Sequence, residues 1–148
     1  MPDTLSLAEA LRDFYIRIHR DLDRRMAAGG VSLARTKLLA FIRCRGDARS
    51  ADIVAAFGHA PRTVTEAIDG LERDGLVRRE PHPADRRAKR ILITEAGEAA
   101  IAASEPIYHE LVERVFGPLS PSEREALAAV MAKLIGNLGS AESDPDSP

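Results

Sequence analysis

The residues whose types and spacing could do chemistry lie in one stretch, residues 60–94. Arg62, Thr63, Thr65 and Glu66 come first, and Asp85, Arg86, Arg87, Lys89 and Arg90 follow. Residues 85–90 carry four positive charges and one negative. Cations crowded onto a short loop repel one another unless an anion lies close, and the phosphate backbone of DNA is the obvious anion. Arginine forks match guanine O6 and N7, and threonine meets phosphates or the thymine methyl group. The chemistry on offer is therefore recognition of a duplex. Catalysis has no comparable support. The chain lacks a glycine-rich phosphate loop, paired carboxylates at a credible spacing and a nucleophile beside a histidine, so no enzyme activity is expected. His19, His59, His82 and His109 have no Cys or acidic partners at ligand spacing, so neither a metal nor a cofactor is expected. His82, between Pro81 and Pro83, reads as a phosphate contact. Cys44, between Arg43 and Arg45, reads as a helix-packing residue, with a redox switch as the sharper alternative.

Two elements must hold these side chains. Val64, Ala67, Ile68 and Leu71 recur at i, i+3, i+4 and i+7, which predicts a helix packing on one face, with Arg62, Thr63, Thr65, Glu66 and Asp69 on the other. Pro61 suits its first turn and Gly75 its left-handed stop, giving a helix from Pro61 to Asp74. Gly70 in its interior costs about 1 kcal/mol against alanine, which fits a close approach to a phosphate. Beyond Gly75 the pattern alternates. Leu76–Arg79 and Ile91–Thr94 read as strands joined by a basic, proline-flanked tip, which together make a wing.

The remaining chain reads as support. Leu7, Leu11, Phe14, Tyr15, Ile18, Leu22 and Met26 mark a long amphipathic helix over 4–28, ended by Gly29 and Gly30. At 1.5 Å per residue it spans about 38 Å, more than a small winged domain can cover, so part of its stripe is expected to bury against a second copy. Ser32 caps a second helix ending near Gly46, and Ser50 a third over Asp52–Phe57. That short helix, a glycine turn and the helix from Pro61 form a helix-turn-helix pattern. Thr94 caps a further helix to Gly117, which Pro106 should kink. Ser120, Pro121 and Glu123 start the last helix as a capping box. The acidic end is expected to be disordered.

With 148 residues, 45% apolar content and a net charge of −2, the chain is long enough for a real core but not basic overall, so a DNA-binding surface must be local. No apolar run approaches the roughly 20 residues of a membrane span. No secretory signal is visible, and the single cysteine cannot form an internal disulfide, so the expected location is the cytoplasm.

Three segments in this order, TVTEAIDGLERDGLVRR (63–79), DRRAKRILITEAG (85–97) and LSPSEREAL (119–127), make the chain resemble the MarR family of bacterial transcription regulators over about residues 5–138. The resemblance implies a mainly α fold with a small β-hairpin wing: an N-terminal dimerisation helix (4–30), a winged helix-turn-helix domain (31–94), C-terminal dimerisation helices (95–138) and an acidic tail (139–148). It implies a homodimer, in most relatives a repressor, that grips a pseudo-palindromic operator in double-stranded DNA and is released by a small-molecule effector. Arg62 would meet guanine or a phosphate, and Thr63 and Thr65 phosphate or thymine methyl groups. Arg87 matches the family's minor-groove arginine, with Asp85 holding its guanidinium by a salt bridge, while Arg86, Lys89 and Arg90 neutralise phosphates. Tyr15, His19 and Tyr108 fall on helices that border a ligand cleft in this family. Glu66 departs from the pattern: a carboxylate facing DNA either accepts from a cytosine amine or repels the backbone. The alternative is a winged-helix protein-interaction module without DNA binding.

Overall fold

The computed structural model describes residues 1–139, so the expected disorder of 140–148 lies outside the described residues, and Gly139 belongs to the last helix. The elements run α1 (Thr4–Ala28), α2 (Leu33–Arg45), α3 (Ser50–Phe57), α4 (Pro61–Arg73), β1 (Val77–His82), β2 (Asp85–Ile93), α5 (Glu95–Phe116) and α6 (Pro121–Gly139). The architecture is mainly helical with a two-stranded antiparallel hairpin. Two compact units divide within α5, one from Met1 to Tyr108 and the other from His109 on. Pro106 lies inside α5, and the helix continues through it as one 22-residue element.

Cap chemistry sets most helix ends. The Ser32 hydroxyl accepts from the Arg35 N–H, and Gly46 closes α2 in the left-handed region at φ 76°. Helix α3 differs from expectation: Ser50 is its first helical residue, and the Asp52 carboxylate caps it by accepting from the Arg49 N–H at 2.9 Å. The aspartate satisfies the N–H of the cap residue itself, the reciprocal half of a capping box, and its charge suits the helix N-terminus. In the second unit, the Ser120 hydroxyl and the Glu123 carboxylate complete the expected capping box at the start of α6. The Ser120 N–H and hydroxyl both hydrogen-bond the Glu123 carboxyl and hold it below its ordinary range.

The core of the first unit gathers Leu39 and Ile42 of α2, Ile53 of α3, Val64, Ile68 and Leu71 of α4, Val77 and Ile91 of the hairpin, and Ile101 of α5. Ala48, fully buried between α2 and α3, carries the wing's second attachment. Its carbonyl accepts from the Ile91 N–H at 2.7 Å, a one-residue bridge onto β2. Where α4 ends and α5 begins, the Thr94 hydroxyl donates to the Gly75 carbonyl at 2.6 Å and accepts from the Gly97 N–H at 3.1 Å. A Cβ on Gly97 would stand 2.2 Å from the Leu76 carbonyl oxygen and 2.6 Å from Ile93 Cγ1. Helix and hairpin meet backbone to backbone there.

Two helical faces stay uncovered. In α1 only Met26 is fully buried, Ile18 and Leu22 are half-buried, and Leu5, Leu7, Leu11, Phe14, Tyr15 and Ile16 are exposed. Helix α6 buries nothing, and Leu127, Val130, Met131, Leu134, Ile135 and Leu138 all face outward. No described helix is long and apolar enough to cross a membrane.

The contact at Gly97 sets a stability test. Gly97→Ala should lower unfolding free energy by about 1–3 kcal/mol, the usual effect of forcing atoms into a filled site. Urea denaturation measures it, and an unchanged midpoint would contradict the packing described.

Candidate nucleic-acid interface

Helix α4 is divided as its periodicity required, with one exception. Val64, Ile68 and Leu71 are buried, while Arg62, Thr63, Thr65, Glu66 and Asp69 are exposed. Ala67, expected on the packing face, is exposed. It borders an apolar crevice of about 300 Å³ between α2, α3 and α4, floored by Leu38, Ile53 and Phe57 and rimmed by Arg35 and Glu66. That crevice has no counterpart in the sequence reading, because it depends on the spacing of three helices. No side chain caps the N-terminus of α4, whose cap position is Ala60 followed by Pro61. Its first N–H groups therefore face outward at the positive end of the helix dipole.

On the outward face, Arg62 Nε donates to Glu66 Oε1 at 3.0 Å, both side chains standing largely in solvent. The Thr65 hydroxyl donates back to the Pro61 carbonyl at 3.0 Å, which leaves its methyl group and an oxygen lone pair for a partner. The helix's remaining carboxylates are engaged elsewhere. Arg79 of β1 reaches Asp69 at 2.6 Å and Glu72 at 2.9 Å, and its backbone N–H also donates to Glu72. Burial opposes the Arg79 charge, but the hydrogen bonds to Asp69 and Glu72 outweigh it and raise its pKa. Strand β1 and helix α4 are thereby fixed to each other, and two negative charges of α4 are neutralised.

Gly70 does not mark a phosphate approach. Its carbonyl accepts from Arg35 Nη2 at 3.3 Å, and Arg35 also pairs with Asp74, so this side of the helix faces α2. A Cβ there would meet only Arg35 Nη2 at 3.6 Å and Arg73 Nη2 at 3.7 Å, both ordinary contacts.

The wing differs most from the sequence reading. Its strands are longer than expected, only Pro83 and Ala84 form the turn, and residues 85–90 belong to β2 rather than to a loop. Pro81 pairs with Lys89 but His82 with Asp85, so Arg86, Arg87 and Ala88 are extra residues opposite one step of β1. Proline offers no N–H to continue the ladder, and a bulge at that step is its natural outcome. The bulge throws Arg86 and Arg87 outward. They and Lys89 are exposed, and none of the described carboxylates pairs with their side chains.

Three expected roles change on this geometry. The Asp85 carboxylate accepts from the backbone N–H of Arg87 at 3.0 Å, so it orders the wing's main chain and not the guanidinium. Arg90 reaches across the ladder to Glu80 at 3.0 Å, where its charge is already balanced. Hydrogen bonds from Arg78, then Arg90, hold the Glu80 carboxyl below its ordinary range. His82 is buried and so withdrawn from any phosphate: its Nδ1 accepts from the Ala84 N–H at 3.1 Å, and Asp47 lies 3.8 Å from Nε2. Arg49 Nη2 stands 3.3 and 3.4 Å from the two ring nitrogens. The histidine anchors the wing to the segment after α2.

Away from this surface, Tyr15 and His19 share a shallow depression with Ile16, Arg20 and Asp23, while Tyr108 is not part of its lining. Their rings are 5.7 Å apart, and Lys37 Nζ lies 2.8 Å from His19 Nε2. Cys44 is exposed on α2 and not packed, and its neighbours Arg43 and Arg45 turn to Glu98 and Asp52. Among the described residues no group of three His, Cys, Asp or Glu could hold a metal ion.

Helix α3, the turn at Gly58 and α4 form a helix-turn-helix, and the hairpin beside them makes it a winged one. Residues 31–89, which span this winged domain, match the model of the MarR family. The transcriptional regulator HosA of Escherichia coli O111:H- is 37% identical over 73 residues, 49% of this chain and 54% of that protein. The match thus spans about half of HosA's length. The crystal structure of wild-type MarR from E. coli in its apo form aligns with a TM-score of 0.78 at 20% identity, covering 90% of this chain and 98% of that one. BpsR of Bordetella bronchiseptica, whose DNA binding is regulated by 6-hydroxynicotinic acid, aligns with a TM-score of 0.70 at 26% identity, covering 90% and 97%.

The reassignment of Gly70 has a measurable consequence. Gly70→Ala should raise stability by about 1 kcal/mol, because alanine fits and favours helix. A lower melting temperature for the variant would show that glycine is needed at this position.

Proposed function

We propose that the chain is a sequence-specific DNA-binding transcription regulator acting as a homodimer, a repressor released by a small-molecule effector. The observation that carries this is the exposed reading face of α4 beside a bulge presenting Arg86, Arg87 and Lys89 with no carboxylate partner. Cations held out in solvent without partners suit a ligand that brings its own negative charge at a regular spacing. The names of HosA and BpsR support the same reading, since the first is a transcriptional regulator and the second has ligand-regulated DNA binding.

On this reading α4 enters the major groove, and its uncapped first turn meets a phosphate with backbone N–H groups. Arg62 reads guanine, Thr63 lies against the backbone and the Thr65 methyl against thymine. Arg87 enters the minor groove from the wing while Arg86 and Lys89 neutralise phosphates. Asp85 fixes the main chain that carries Arg87, and Arg90 stiffens the hairpin through Glu80. The exposed apolar faces of α1 and α6 bury against a second copy, which doubles the reading helices. The depression at Tyr15 and His19 is the place where an effector would bind, and one that favours a dimer with misplaced reading helices would release DNA.

Anisotropy of a labelled palindromic duplex, titrated at several salt concentrations, tests this. Arg86 and Lys89 of both copies, four phosphate-neutralising cations in a dimer, should give log K against log salt a slope of about −4. Arg87→Ala should weaken binding by about 1–3 kcal/mol, mostly at sites with A·T-rich flanks. An unchanged affinity and footprint would remove Arg87 from the interface. Absence of duplex binding at low salt would leave the winged domain as a protein-interaction module.

A further inference from the structure

The Arg62–Glu66 pair lies on the outward face of α4, and among the described residues neither side chain makes another hydrogen bond or ion pair. We propose that Glu66 is a positioning residue for Arg62, orienting its guanidinium so that α4 selects guanine at one base pair of each half-site. This rests on the DNA-reading function proposed above. The guanidinium is planar, and its Nε–H lies in that plane. A carboxylate oxygen 3.0 Å from Nε therefore fixes the rotation of the whole group and uses up its side edge. What remains is the end-on pair, Nη1 and Nη2, whose parallel N–H bonds match O6 and N7 of guanine.

The pair is weak in water, where both groups are solvated and the side chains are long. Inside a groove from which water has been excluded, the same contact strengthens as the local dielectric falls. Glu66 in turn keeps its partner there: unpaired, it would face phosphates and repel them. The carboxylate thus restricts Arg62 to one geometry, which gives specificity more than affinity. The competing reading, that Glu66 itself accepts from a cytosine amine, needs no Arg62. A third, that Glu66 only repels the backbone, depends on its charge and not on its hydrogen bond.

Selection from a randomised duplex library with the full chain, followed by anisotropy on the selected site and its single-base variants, separates these readings. Wild type should prefer guanine at one position per half-site by about tenfold or more. Arg62→Ala and Glu66→Ala should both lose that preference. Glu66→Gln keeps an acceptor oxygen for Nε without the charge, so it should retain the preference while binding all sequences somewhat more tightly. The proposal is overturned if Glu66→Ala tightens binding to every sequence and keeps the guanine preference, or if the preference survives Arg62→Ala. Both positions are exposed, and equal melting temperatures for the four proteins confirm that the fold is intact. Failure of wild type to enrich any sequence would overturn the DNA-reading function, and this proposal with it, before any variant is compared.

Discussion

The orientation of α4 is the constraint on which the surface depends. Val64, Ile68 and Leu71 are each nearly or fully buried, and burying such side chains contributes about 1.5–3 kcal/mol apiece. A rotation by one residue, about 100°, would expose them and drive charged groups into the core. The helix is therefore fixed about its own axis by packing. Arg79, tied to both Asp69 and Glu72, then fixes it against the hairpin. The polar face is left bare because the apolar face cannot be anything but covered.

The hairpin is anchored by a different logic at each end. At its base, the Thr94 hydroxyl and the glycine at position 97 let α4, β2 and α5 meet through backbone contacts. Farther along the stem Ala48 bridges to Ile91, and at the turn buried His82 lies within 3.3 Å of Arg49. Between these anchors the ladder breaks where Pro81 cannot donate, and the cations emerge at that break. The arrangement gives an anchored stem with a charged bulge, which on the proposed reading enters a groove. The exposed apolar stripes of α1 and α6 are the other unsatisfied surfaces, and on the proposed reading a second copy covers them.

Helix positions were legible because local chemistry sets them. Thr4–Ala28 agrees with the spacing of its stripe, Ser32 and Gly46 bound α2 as expected, and Ser120 with Glu123 opens α6. The wing was less legible for a physical reason. A run of like charges reads as loop, and only the pairing partner reveals that residues 85–90 form a strand around a bulge. The burial of His82 depends on Asp47 and Arg49, which neighbour it only once the wing folds back. Gly70 was read as a ligand contact because nothing local announces Arg35, 35 positions earlier, as its neighbour. The clamp at Arg79 went unseen likewise, since alternation shows which face a residue takes and not which carboxylate waits there. Candidate residues on the helix were thus placed correctly by periodicity, whereas the roles of Asp85, His82 and Arg90 needed tertiary contacts.

Whether two copies of this chain present paired reading helices to one duplex is most directly tested by sedimentation equilibrium of the intact protein, alone and with a selected duplex. The expected result is twice the 16.1 kDa chain mass at working concentration and two chains per duplex in the complex. Single chains throughout, or one chain per duplex at saturation, would contradict it.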